Sequence, residues 1–281
     1  MKIKLAKTRG FCYGVKKAVR TAEKKAAGAG PVFTLGQLIH NSSETGRLRK
    51  LGVHAARSPE EASGTVIIRT HGVPRRTVAR LKKKGARVID ATCPFVKKIQ
   101  SLVARLSGEG YLVIIAGKRE HPEVKALVSY ASGPIKVLNG AAGVKRIPAD
   151  SRVAVISQST QTAERFEMIS NAVKKRFPDA RVYRTICSTS VARQKEAEAL
   201  AEESDVMLVI GGRNSANTRH LAELAGMHTK TYHIEAPGEI RSSWFNGVKT
   251  AGITAGASTP ERLIAQAVKK IQIKRKGKDH G

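Results

Sequence analysis

Short unbroken apolar runs alternate along this chain with stretches whose apolar positions recur every three or four residues. Thr65-Val-Ile-Ile-Arg-Thr leads through His71-Gly72 into a helical pattern over 75–84. Tyr111-Leu-Val-Ile-Ile-Ala-Gly leads through His121-Pro122-Glu123 into one over 124–130. Arg152-Val-Ala-Val-Ile leads through 157–160 into a helix over 164–177, and Asp205-Val-Met-Leu-Val-Ile-Gly-Gly leads through Asn214-Ser215 into one over 218–225. A strand covered on both faces reads as a continuous apolar run, and a helix between two such strands makes the crossover that parallel pairing requires. The expected class is α/β with parallel sheets. The unusual polar residues cluster in the loops that follow the strands, where α/β sheets bind their ligands.

Composition narrows the field. Of 281 residues 41% are hydrophobic but only 4% aromatic, so the core is aliphatic and a wholly disordered chain is excluded. No apolar stretch reaches bilayer-spanning length, and Met1-Lys-Ile-Lys does not open a secretory signal. A cytoplasmic location without a membrane partner is expected. The 51 Lys and Arg against 22 Asp and Glu give +29, which suits anionic partners, nucleic acid or small anions, or reflects a lysine-favouring surface. Few aromatics for stacking and no nucleic-acid module disfavour nucleic acid. The densest basic stretch runs from Lys269 to Lys278, and 271–281 reads as a disordered basic tail.

Three cysteines are too few for a disulfide scaffold, and no CxxC pair suggests a zinc ribbon. Cys12, Cys93 and Cys187 lie 81 and 94 residues apart, cutting the chain into near-equal thirds. Each precedes a helical pattern, and two share Val-Lys-Lys just downstream (Cys12-Tyr-Gly-Val-Lys-Lys and Cys93-Pro-Phe-Val-Lys-Lys). That spacing suggests a three-fold internal repeat with one thiol at a helix start in each lobe, where the helix dipole favours a thiolate. Three converging thiolates suit a 4Fe-4S cluster with one iron open to substrate; three unrelated buried thiols are the alternative.

His40, His71 and His121 each follow an aliphatic run, as donors to a phosphate or diphosphate would. Glu123 stands at a helix start, either complementing the dipole or donating protons in an enclosed site. Ser157, Ser159, Thr160, Asn214, Ser215, Asn217 and Ser258 read singly as helix caps and together as an uncharged anion-binding shell. No P-loop and no GxGxxG is present, which disfavours an ATPase or a Rossmann enzyme.

Taken in order, Arg9-Gly-Phe-Cys-Tyr-Gly-Val, Gly36-Gln-Leu-Ile-His-Asn, Thr70-His-Gly-Val, Asp90-Ala-Thr-Cys-Pro-Phe-Val, His121-Pro-Glu, Ser157-Gln-Ser-Thr, Ile186-Cys, Asn214-Ser-Ala-Asn and Thr254-Ala-Gly-Ala-Ser-Thr-Pro resemble the 4-hydroxy-3-methylbut-2-enyl diphosphate reductases. The resemblance runs from about Lys2 to about Ile271. It implies a trefoil of three pseudo-repeated α/β lobes around one 4Fe-4S cluster held by Cys12, Cys93 and Cys187. It further implies that His40, His71, His121, Ser159, Ser215, Asn217 and Ser258 bind substrate and that Glu123 delivers protons. The family's reaction makes isopentenyl and dimethylallyl diphosphates with electrons from ferredoxin or flavodoxin. The expected lobes are 1–92, 93–186 and 187–270, the N-terminal segment being a candidate to pack on the third. Two positions depart from the family pattern: Ser159 stands where many members have threonine, and Ala216 where many have a second serine.

Overall fold

The computed structural model describes residues 1–276. The first third forms β1 (Lys2–Leu5), α1 (Tyr13–Ala26), β2 (Val32–Leu35), α2 (Ser42–Lys50), β3 (Val53–Ala56), β4 (Thr65–Ile68), α3 (Arg75–Lys83) and β5 (Arg87–Asp90). The middle forms α4 (Pro94–Gly108), β6 (Leu112–Ala116), α5 (Pro122–Val128), β7 (Ile135–Leu138), β8 (Val153–Ser157), α6 (Ala163–Arg176) and β9 (Arg181–Val182). The last third forms α7 (Ser188–Glu202), β10 (Val206–Ile210), α8 (Ala216–Gly226), β11 (Lys230–Ile234), β12 (Thr250–Ala255) and α9 (Glu261–Lys276).

Backbone contacts divide the chain into two compact units. The first comprises Met1–Lys16, Ile39–Arg47 and 188 onward, and the second Lys17–Leu38 and Leu48–Cys187. The first unit holds one four-stranded sheet in the order β1-β12-β10-β11, the second holds two, β3-β2-β4-β5 and β7-β6-β8-β9. Every pair is parallel. The class is α/β, as expected.

The three sheets repeat one plan. In the two sheets of the second unit the strands, numbered by their own succession, stand in the order 2-1-3-4. The first unit repeats it with β10, β11 and β12 as strands 1, 2 and 3, while β1, from the other end of the chain, takes the place of strand 4. The central strands β6, β8 and β10 are buried along their whole length, which is why they read as unbroken aliphatic runs. Helices pack on both faces: Phe166, Ile169 and Val173 of α6 cover one face of the β6–β8 sheet, and Ile99, Val103 and Leu106 of α4 the other. Replacing Ile114, fully buried at the centre of β6, by Ala should cost about 2–5 kcal/mol of unfolding free energy, measured by urea denaturation.

In a 2-1-3-4 order the chain leaves strands 1 and 3 in opposite directions, opening a crevice beyond their carboxyl ends. Residues 117–121 and 157–160 follow β6 and β8, and 211–217 and 256–258 follow β10 and β12. The fold therefore sends these polar loops to the switch points of two of the three sheets.

Two expectations need correction. The aliphatic run before His40, Phe33-Thr-Leu-Gly-Gln-Leu-Ile, reads as one strand, but β2 ends at Leu35, because Gly36 takes a left-handed backbone (φ 68°) that breaks the extended chain. The basic stretch expected to be a disordered tail from 271 is helical through Lys276 in α9, with Ile271 buried in the first unit's core; 277–281 lie outside the described residues. No helix among the described residues is long and apolar enough to cross a membrane.

Candidate active site

In the second unit, five of the predicted residues form one connected chain. His121 caps α5: its Nδ1 accepts the Glu123 backbone N–H at 3.2 Å. The ring proton is therefore on Nε2, which leaves His121 a donor away from the cap. The His71 ring meets it edge to face, with centroids 5.4 Å apart. Glu123, in the first turn of α5, is 1% exposed. Its Oε1 accepts the Ser159 backbone N–H and its Oε2 the Ser159 hydroxyl, both at 2.6 Å. The Ser159 carbonyl in turn accepts the Cys187 backbone N–H at 2.8 Å. The loop after β8 thus joins the acid to a cysteine.

Burial pushes the Glu123 carboxyl above the usual carboxylate range, while the two bonds from Ser159 pull it the other way. Burial is the larger of the two effects, and the net direction is upward. Ser159→Ala removes one donor to the charged form, a bond worth about 1.5–3 kcal/mol, or about one to two pH units. The Glu123 pKa should rise further in that variant. Since an acid must be protonated to act, the alkaline fall of the pH–rate profile should move to higher pH; an unmoved limb contradicts the coupling.

The remaining cysteine of this unit, Cys93, is the N-cap residue of α4 and its side chain makes no capping bond. Its backbone N–H bonds the Thr70 carbonyl at 3.0 Å, beside His71. Gly72 (φ 73°) accompanies that approach; a Cβ there would lie 2.6 Å from Gln100 Nε2.

The first unit carries the rest. The Cys12 backbone N–H bonds the Ala257 carbonyl at 3.1 Å, and the neighbouring Ser258 hydroxyl donates to the His40 carbonyl at 2.9 Å. The loop after β10 reaches the same carbonyl, since a Cβ on Gly212 would stand 2.4 Å from it. Ser215 caps α8 by accepting the Thr218 N–H, leaving its hydroxyl proton to donate. Asn217 is buried with neither side-chain amide atom hydrogen-bonded. An unsatisfied buried amide costs about 1–3 kcal/mol per group, and a bound ligand is one thing that relieves it. Ala216, the departure noted above, is the buried first residue of α8.

Of the other hydroxyls read as caps, Ser157 bonds Thr185 within the strand ends, and Thr160 accepts from Gln158 Nε2. The cap of α6 is Thr162 instead. Arg193 was not singled out by the sequence. It is a buried guanidinium on α7 that donates to the carbonyls of Gly10 and Ala255, fixing the loops that carry Cys12 and Ser258. The available signal was a charge in register with the apolar positions Ala197, Leu200 and Ala201. Arg193→Ala should cost at least about 2 kcal/mol by leaving two buried carbonyls unpaired, seen as a lowered urea midpoint.

None of the cysteines forms a disulfide, all are half-buried, and each immediately precedes or caps a helix. A soft-donor set of three thiols placed at positive helix ends fits an iron–sulfur centre.

The chain matches the family model described as LytB protein over residues 3–272. The chain belongs to the LytB family. It is 46% identical over 277 residues to a 4-hydroxy-3-methylbut-2-enyl diphosphate reductase of Geobacter sulfurreducens, covering 97% of each chain. A reductase of the same name from Geotalea uraniireducens is 41% identical with full coverage of both. A solved structure titled as (E)-4-hydroxy-3-methyl-but-2-enyl diphosphate reductase, the terminal enzyme of the non-mevalonate pathway, aligns with TM-score 0.71 and 41% identity over 97% of this chain and 99% of its own. The Plasmodium falciparum reductase, 24% identical, shares the fold with TM-score 0.92 over 95% of this chain and 87% of its own.

Proposed function

We propose that this LytB-family chain is an oxidoreductase that converts (E)-4-hydroxy-3-methylbut-2-enyl diphosphate to isopentenyl and dimethylallyl diphosphates, the last step of the non-mevalonate isoprenoid pathway. The reaction takes two electrons and two protons, and the hydroxyl leaves as water. The observation that carries the reading is the buried Glu123 carboxyl, raised in pKa by burial and tied through Ser159 to the Cys187 loop.

Family membership implies an iron–sulfur cofactor; we assign it as one 4Fe-4S cluster held by Cys12, Cys93 and Cys187. When bound, the cluster supplies single electrons and, at the iron without a cysteine, a Lewis acid for the substrate hydroxyl. Glu123 gives its proton to the departing oxygen, which makes water the leaving group. The Ser159 N–H holds Oε1 in either protonation state, while the Ser159 hydroxyl can reverse its bond and pass a proton to Oε2. His71 and His121 donate to the diphosphate, as do His40, Ser215, Asn217 and Ser258, the orphaned Asn217 amide gaining its missing partner. These side chains are hydroxyls, an amide and imidazoles, all shorter than lysine, so they orient an anion without the flexibility of lysines. Electrons come from ferredoxin or flavodoxin, and the site of action is the cytoplasm. The lobes are taken as 1–92, 93–186 and 187–270.

Anaerobic purification followed by iron and acid-labile sulfide analysis tests the reading. About four irons per chain is the expected result; no iron after reconstitution contradicts it.

A further inference from the structure

The proposed reaction consumes two electrons, which a reductant outside the chain must supply. Helix α3 carries five cations in nine residues and no acid. Arg80 pairs with Glu60, and Arg75 lies over the Tyr130 ring. Arg76, Lys82 and Lys83 are exposed and, among the described residues, pair with no carboxylate; the same holds for Lys98 in α4, while Lys97 is taken by Asp90. Beside α3 a cavity of about 610 Å³ is lined by Val73, Val88, Arg76, Lys82, Thr92 and Asp90, the last paired with Lys97. Thr92 is the residue before Cys93, so the cavity reaches within one peptide of a proposed cluster ligand.

We infer that the α3 face is the docking surface for an acidic one-electron carrier protein, and that electrons enter past the Cys93 loop. This rests on the function proposed above. Each docking oxidises the carrier by one electron, which passes to the thiolate-bound group; two dockings supply one turnover. Unpaired cations with apolar surface between them give both the electrostatic steering and the dry contact that such an encounter uses. A cavity beside Thr185 carries less free charge: Arg184 is paired with Glu167, which leaves Lys174, bonded to the Pro178 carbonyl, as the one cation in its lining without a carboxylate partner.

The test compares Arg76→Glu/Lys82→Glu with a control, Lys174→Glu/Lys175→Glu, which makes the same charge change on α6. Binding of an acidic 2Fe-2S ferredoxin is measured by calorimetry at low and high salt, on protein with and without its cluster. Turnover is measured with that ferredoxin and with reduced methyl viologen. The α3 variant should bind about tenfold more weakly at low salt, with a flatter salt dependence and a raised KM for ferredoxin. Its viologen-driven rate should equal that of the unmodified protein. Equal weakening in both variants reduces the effect to net charge and overturns the assignment, as does unchanged binding in the α3 variant. A viologen-driven rate lost only in the α3 variant shows that the face serves the fold or the chemistry rather than docking. No viologen-driven turnover in the unmodified, cluster-loaded protein instead refutes the proposed function, and the binding comparison still stands as a separate result.

Discussion

Glu123→Gln is expected to lower kcat by about 10²–10⁴-fold, the range over which a positioned acid contributes, with iron content and substrate KM unchanged. The geometry explains why the change is this selective. Glutamine keeps the volume of a side chain that is 1% exposed. Its carbonyl oxygen can accept the Ser159 N–H, and its amide can donate to the Ser159 hydroxyl, so both contacts persist, the second with its direction reversed. Only the transferable proton is lost. Stability gives a second readout. A carboxyl raised by burial contributes stability that is fully present below its unfolded pKa and lost as pH rises through its folded pKa. The unmodified protein should therefore lose melting temperature relative to the variant as pH rises across that window. Undiminished turnover in the variant removes Glu123 from the chemistry.

Cys93→Ser should abolish turnover and lower iron content below that of the unmodified protein. A serine hydroxyl at the N-cap of α4 occupies nearly the same space, and the residue's backbone bond to Thr70 does not involve the side chain, so the fold should persist. What disappears is a thiolate donor, and the loss should exceed the roughly 10–100-fold that replacements behind a metal's ligands cost. Iron analysis with the visible spectrum separates the outcomes. An unchanged cluster in this variant sinks the three-ligand arrangement.

Much of this was legible in the chain because parallel α/β folds write themselves plainly. Val206–Ile210 is buried on both faces and reads as five apolar residues in a row. The three cysteines were placed at helix starts by the patterns that follow them, and α1, α4 and α7 begin there. His121-Pro122-Glu123 announced a helix start, since proline is well suited to the first turn. What the sequence hid is what depends on distance. Glu123 and Ser159 are 36 residues apart, and no periodicity links them. β1 completes a sheet with β12, a pairing between the two ends of the chain that local pattern does not encode. Arg193, one of 51 Lys and Arg and marked by no motif, is a buried clamp on two carbonyls. Asn217 read as one more helix-start polar residue; only the enclosed structure shows that its amide has nothing to bond. The basic C-terminal stretch misled in the opposite direction, because its charge masked the apolar positions that hold α9 against the core.

Anaerobic turnover of (E)-4-hydroxy-3-methylbut-2-enyl diphosphate by the cluster-loaded protein with reduced methyl viologen, followed by product analysis, tests the proposed reaction itself. Isopentenyl and dimethylallyl diphosphates are expected, with two viologens oxidised for each substrate consumed. Intact substrate after prolonged incubation, with the cluster verified by its spectrum, would contradict that reaction.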